Sequence, residues 1–252
     1  MDLGELKPKS RFDNRAENYD RYRPSYPKSI INFLEETIGF SESSIIADIG
    51  SGTGISTKIF LDNGNKVYAV EPNNNMRQLA EKLLSSYSNF YSIAASSENT
   101  NLQSDSIDYI VAAQSLHWFD TILTRSEFLR ILKRNGYVVV LYNTRKASEG
   151  FMAKYLELIR KYGMKYINES NDNYMTDFFG IRPVHEKIIP HSQTVDFKNL
   201  KGNLISYSYM PTESDVCFIP MIKELENLFA QYNKDGKVIL EYDTCISYCK
   251  MK

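Results

Sequence analysis

The stretch IIADIGSGTGISTKIF, residues 45–60, decides how the rest of the chain is read. An apolar run ends at Asp48, Gly50, Gly52 and Gly54 follow at alternate positions, and helix-forming residues begin at Ile55. This order predicts a buried strand, a tight glycine turn and a helix N-terminus. Backbone N–H groups exposed there make a cradle for an adenosine-bearing ligand. A dinucleotide fingerprint requires glycine or alanine at position 55, which is Ile55 here.

Reading outward, KSIINFLEETIGF carries an apolar stripe at helical spacing from Ile30 to Ile38. Strands are expected near 44–49, 66–71, 89–94, 107–112 and 137–142, with helices near 54–62, 73–85 and 120–132. Strands alternating with helices across short connections imply a parallel sheet covered on both faces. After Asn143 the rhythm breaks. EGFMAKYLELIRKYG reads as a helix, 166–184 as irregular and EKIIPHSQTVDF as a strand. FKNLKGNLISYS and VCFIPMIKELENLFAQYN read as helices, and KVILEYDTCISYCKM alternates like a long final strand. The simplest organisation is a single domain with one sheet of about seven strands. Residues 1–40 form a lid and helices, 41–143 the ligand-binding core, and 144–252 an elaboration on the far side.

Hydrophobic residues make up 42% of the 252 and charged residues 24%, in the range of folded soluble proteins. A formal net charge of -1 provides no basic excess for nucleic acid, so no nucleic-acid partner is expected. The longest apolar run, YVVVLY at 137–142, is far shorter than the roughly 20 residues of a membrane span, and the polar N-terminus lacks the apolar core of a signal peptide. Cys217, Cys245 and Cys249 form no even disulfide framework, and His117, His185 and His191 are too scattered to complete a zinc site. Reduced thiols, no metal and a cytoplasmic location are expected.

The strand KVYAVEP ends in Glu71, placed to accept hydrogen bonds from both ribose hydroxyls of an adenosine ligand. That position does not separate NAD from S-adenosylmethionine. Asp48 does, because its charge suits an ammonium and sulfonium end and repels a pyrophosphate. Together with Ile55 it favours S-adenosylmethionine.

In order and spacing, DIGSGTG, VEPNNNM, SSENTNL, SIDYIVAAQSLHWF and FLRILKRNGYVVVLYN resemble class I S-adenosylmethionine-dependent methyltransferases. RFDNRAENYDRYRPSYP and AQSLHWFD look like the branch with trans-aconitate methyltransferase-like and ubiquinone-biosynthesis-like enzymes. The resemblance is close over about 12–142 and weaker over 143–252. It implies a Rossmann-like, doubly wound, mostly parallel seven-stranded sheet with an antiparallel final strand. It also implies S-adenosyl-L-methionine as cofactor and S-adenosyl-L-homocysteine as product. Residue by residue, it implies that Gly50, Ser51, Gly52 and Gly54 shape the cradle and that Asp48 reaches the amino acid end directly or through water. Glu71 would bind the ribose, Pro72 and Met76 would line the adenine pocket, and Ser97 and Glu98 would meet the adenine edge. Gln114 would end the fourth strand beside the methyl. Two departures stand out: KRNG replaces the commoner Lys-Pro-Gly-Gly turn, and Ser96 stands where an acidic residue or glycine is frequent.

On the acceptor side, His117 and Trp118 follow the fourth strand at its carboxyl end, where open α/β sheets hold ligands. Trp118 offers an aromatic face to a cation. An ionised carboxylate acceptor requires no base, whereas a hydroxyl, amine or carbon acceptor makes His117 the first candidate for one. Tyr19 and Arg23 are expected to fold over the cofactor, with Arg23 pairing with the methionyl carboxylate. The expected partner is a small-molecule acceptor, with the chain a monomer or homodimer. Methylation of protein or RNA, and cofactor binding without catalysis, are the alternatives.

Overall fold

The computed structural model describes residues 20–163, 174–207 and 209–252. In chain order the elements are α1 (Ser29–Ile38), β1 (Ile45–Ile49), α2 (Ile55–Asp62), β2 (Lys66–Val70), α3 (Asn74–Leu83), β3 (Phe90–Ile93), β4 (Ile107–Ala113), α4 (Thr121–Ile131) and β5 (Leu132–Arg145). There follow α5 (Phe151–Tyr162), α6 (Tyr174–Phe179), β6 (His185–Val195), α7 (Phe197–Ile205), α8 (Phe218–Tyr232) and β7 (Val238–Lys250). The seven strands form one sheet in the order β3-β2-β1-β4-β5-β7-β6. Pairs from β3 to β5 are parallel, and β7 runs antiparallel to both β5 and β6.

The alternation of side chains along buried strands explains the two covered faces. Ile46, Val111, Val139 and Leu141 pack on one face against Ile30 and Leu34 of α1 and Phe60 of α2. Ile110, Val138 and Val140 pack on the other against Phe128 and Ile131 of α4 and Phe178 and Phe179 of α6. A third core lies beyond, where α5, α7 and α8 close over Val238, Leu240 and Tyr242 at the start of β7.

Two expectations are corrected. The fifth strand is longer than 137–142, because KRNG does not close a separate turn. It is absorbed into β5 as an irregularity in which Leu132 faces Ile107 while Tyr137 already faces Tyr109. Asn135 takes up the bend with φ 69°. The stretch 166–184 is not irregular throughout, since α6 occupies Tyr174–Phe179. Two adjacent buried phenylalanines hold α6 against α4, with Phe178 and Phe128 edge to face at 5.4 Å. Cys217, Cys245 and Cys249 are free thiols. Among the described residues no helix is long and apolar enough to cross a membrane.

Candidate active site

β1, β2 and β4 end at one edge of the sheet, and the loops there enclose a cavity. Its wall includes Gly50 and Gly52 from the first turn, Glu71, Pro72 and Met76 from the second, Ser97 and Glu98 after β3, and Gln114 and Trp118 after β4. Nine of the residues singled out from the sequence therefore meet at one cavity. Asn73, Ser96, Ala113, Ser115 and Phe119 complete it.

The glycine turn requires glycine at its middle position for two reasons. Gly52 has φ 57°, a left-handed conformation that side-chain-bearing residues rarely adopt, and a Cβ built there would project into open space in the cradle. Gly54 also has positive φ and opens α2, and a Cβ there would meet Leu84 at 2.6 Å. Its role is close packing against α3.

Glu71 is held before any ligand arrives. Its Oε2 accepts from the Gly52 N–H at 2.9 Å and its Oε1 from the Asn73 N–H at 2.7 Å. A carboxylate has about four lone-pair sites, so each oxygen retains one for a ribose hydroxyl. Burial raises its pKa, opposed by those two N–H bonds.

Asp48 sits beneath the turn and is not on the cavity wall. It is fully buried, and its Oδ2 accepts from Ser56 at 2.7 Å and Thr57 at 2.6 Å, tying β1 to the start of α2. Its Oδ1 is buried without a hydrogen-bond partner, and burial pushes the carboxyl up to about 6. An orphaned oxygen at this place suits a ligand's ammonium end, directly or through water. Ser51 is buried within the same turn.

The loop carrying Ser97 and Glu98 is braced by a residue that the sequence reading did not single out. Glu127 of α4 accepts from the Thr100 N–H at 2.8 Å and its hydroxyl at 2.6 Å, and pairs with Arg130 at 2.7 Å. Against the opposing effect of burial, the Arg130 and Thr100 hydrogen bonds hold its carboxyl down at about 2. Ser97 accepts from Thr124 of α4 at 3.0 Å and donates to Glu98 at 3.0 Å. Gln114 has φ 58°, and its amide donates to the Asn143 carbonyl at 3.1 Å, linking the end of β4 to β5.

His117 and Trp118 lie in a short 3-10 turn, Leu116–Trp118. Asp120 caps α4 by accepting from the Leu123 N–H at 2.9 Å. The His117 Nδ1 shares a 2.9 Å hydrogen bond with the Tyr142 hydroxyl. The imidazole sits among rings, with Trp118 at 4.7 Å, Tyr142 at 5.9 Å and Tyr174 at 6.3 Å. Burial lowers its pKa to about 4, so the ring is neutral at pH 7. Tyr142 and Tyr174 were not visible as site residues, because one lies inside β5, in a run that reads as buried strand, and the other belongs to an unexpected helix.

The N-terminal segment crosses this edge of the sheet. Asp20 faces Thr53 of the glycine turn, Ser25 accepts from Asn143 at 3.3 Å, and Tyr26 is buried in the core. Tyr22 lies flat on α7, where a Cβ at Gly202 would meet its ring at 2.4 Å. Arg23 goes elsewhere than expected. Its guanidinium lies 3.8 Å from the Tyr207 ring centroid and donates to the Ser206 carbonyl at 3.3 Å. Tyr19 falls outside the described residues.

Residues 47–140 match the family model described as a methyltransferase domain. A methyltransferase-like protein of Schizosaccharomyces pombe, itself uncharacterised, is 28% identical over 152 residues, covering 60% of this chain and 58% of its own. An uncharacterised methyltransferase of Mycobacterium tuberculosis is 28% identical over 152 residues, 60% of each chain. The match thus spans about three fifths of these relatives' length. Among solved structures, a proposed type II methyltransferase from Anaeromyxobacter dehalogenans superposes with TM-score 0.72 at 18% identity, over 91% of this chain and 98% of that one. Residues 47–140 thus match a methyltransferase domain, and the chain is similar to the class I S-adenosylmethionine-dependent methyltransferase superfamily in that sequence and in fold. The site fits the cofactor of that superfamily at three independent points: the open space at Gly52, the remaining lone pairs of Glu71 and the orphaned Oδ1 of Asp48. A phosphoethanolamine N-methyltransferase of Haemonchus contortus crystallised with S-adenosyl-L-methionine shares the fold at TM-score 0.53 and 15% identity, over 99% of this chain and 60% of that one.

Proposed function

We propose that this protein methylates a small-molecule acceptor. The observation that carries the reading is the aromatic cluster of His117, Trp118, Tyr142 and Tyr174 beside the cofactor cradle, with the segment from Asp20 to Tyr26 running from Thr53 of the glycine turn to Asn143 of β5. A recess lined by rings and flanked by the chain's own N-terminal segment suits a small molecule rather than a polymer lying across a surface.

Held by Glu71 and the glycine turn, S-adenosylmethionine would supply an electrophilic methyl for in-line displacement by the acceptor, with S-adenosylhomocysteine as the leaving product. The protein's own residues position and enclose. Glu71 and the glycine turn hold the ribose end in register, and Gln114 fixes the floor between β4 and β5. In this proposal the Asp20–Tyr26 segment shields the bound acceptor from water, which would strengthen the polar contacts inside. With a pKa of about 4, His117 has little appetite for a proton at neutral pH. Its role in this proposal is to orient the acceptor by hydrogen bonding, in partnership with Tyr142, while the acceptor provides its own lone pair.

The test is a methyl-transfer screen with radiolabelled S-adenosylmethionine against carboxylic acids, amines, phenols, bulk protein and RNA. Label entering only low-molecular-weight product supports the proposal. Label entering only protein or RNA would overturn it.

A further inference from the structure

Arg145 closes β5, beyond the last residue of that strand that pairs with β4. Its guanidinium lies 3.8 Å from the Tyr207 ring centroid and 5.8 Å from that of Tyr155, and one terminal nitrogen donates to the Tyr209 hydroxyl at 3.2 Å. The other two nitrogens, Nε and Nη2, are buried and have no hydrogen-bond partner. Among the described residues, no carboxylate forms an ion pair with it. A buried guanidinium with two nitrogens lacking any partner is costly unless something else satisfies them.

The identity of the two bare nitrogens is informative. Nε and Nη2 form one edge of the guanidinium, and their N–H bonds run side by side. That is the edge that receives the two oxygens of a carboxylate or phosphate in a bidentate pair. A second positive charge stands close by. Arg23 also lies 3.8 Å from the Tyr207 centroid, and two planar groups at that distance occupy opposite faces of the ring. The chain thus brings two like charges from positions 122 residues apart onto one tyrosine.

The position is also suitable. Gln114 on the cavity wall is bonded to Asn143, and Arg145 is two residues farther along the same strand. At the rise of an extended chain this is about 7 Å, within reach of a small bifunctional molecule whose other end lies at the cradle.

We infer that Arg145 is the anchor of an oxyanion subsite that takes a carboxylate or phosphate of the methyl acceptor, with Arg23 adding attraction across Tyr207. The subsite holds a part of the acceptor remote from the reacting atom, so that binding energy there positions the nucleophile. The word acceptor rests on the proposed methyl transfer; the anion site itself does not.

The experiment is titration calorimetry on the full chain with S-adenosylhomocysteine present, using succinate, inorganic phosphate and neutral succinamide as probes. Wild-type protein is expected to bind succinate or phosphate saturably and not to bind succinamide. The stronger of the two anions identifies the oxyanion class. R145Q should weaken that binding at least tenfold while S-adenosylhomocysteine binds within twofold of wild type, and R145K should fall between them because it keeps the charge and loses the fork. If R145Q does not fold, the side-chain Nε–H resonance missing from R145K should move when succinate or phosphate is added to wild type. Absence of binding by both anions in wild type, equal binding in R145Q, or an unmoved resonance would overturn the subsite. Loss of S-adenosylhomocysteine binding in wild type would overturn the methyltransferase reading instead, and anion binding measured without it would still decide the subsite.

Discussion

The two halves of the molecule hold their polar groups differently. On the cofactor side, Glu71 is bound by two N–H groups of its own turns, and Glu127 ties the loop after β3 to α4. The acceptor side is assembled from distant pieces, the Asp20–Tyr26 segment, the tail of β5 and α7, and Arg145 there retains two unsatisfied donors. A cradle pre-formed by local turns receives one invariant ligand. A side built from long-range contacts can be altered for different acceptors without disturbing that cradle.

The contrast can be broken most severely at the cradle. Gly52→Val should abolish S-adenosylhomocysteine binding in calorimetry, because the added carbons fill the ligand's space and φ 57° penalises a branched residue. Far-ultraviolet circular dichroism should still show the α/β fold. Normal affinity would place the cradle elsewhere.

A smaller effect is expected from Gly202→Leu, which tests whether the Asp20–Tyr26 segment must dock on α7. Leucine favours helix over glycine by about 0.5–1 kcal/mol, so α7 itself is not weakened. The side chain, however, occupies the place of the Tyr22 ring. Turnover should fall by about tenfold to a hundredfold through misalignment, with cofactor affinity unchanged within about twofold. Wild-type turnover would show that docking on α7 is dispensable. This substitution is a finer probe than removing residues 1–27, since Tyr26 is part of the core and its loss would damage the fold as well.

The smallest signal concerns pH. A histidine buried as the neutral ring has a folded pKa near 4, below the unfolded value of about 6.5. The unfolded chain therefore binds more protons between those values. The His117 contribution to stability is present above about 6.5 and is lost as pH falls through 4. Asp48 acts in the opposite sense: with its carboxyl at about 6, it favours the fold below its ordinary value and loses that contribution as pH rises through 6. For turnover, His117 should produce no inflection between pH 6 and 9. An inflection near 6.5 that vanishes in His117→Gln would restore His117 as a proton acceptor.

What was legible in the sequence follows the same division. Strand, glycine turn and helix are local features, so Gly50, Gly52 and Glu71 were found from spacing, and the antiparallel end of the sheet followed from the resemblance. Asp48 was singled out for its charge, but its engagement with Ser56 and Thr57 depends on how the first turn of α2 folds back. Arg145 lies in NTRKASEG, where the strand–helix rhythm breaks, and its significance depends on Tyr207, 62 residues later. Tyr142 and Tyr174 meet only because α6 packs under β5. Only the structure shows that β5 continues past the end of β4, which puts Arg145 at the ligand edge.

The position of β7 has a consequence for how the chain assembles during synthesis. It is made after β6, yet it separates β6 from β5 in the sheet. β6 therefore emerges with no strand to pair with and must wait for β7, which pairs along both of its edges at once. The cofactor side can form early from strands that follow one another closely, but the acceptor side closes last and in a single step. A nascent chain halted before Val238 would present a formed cradle beside a bare β5 edge, which is a ready template for another strand.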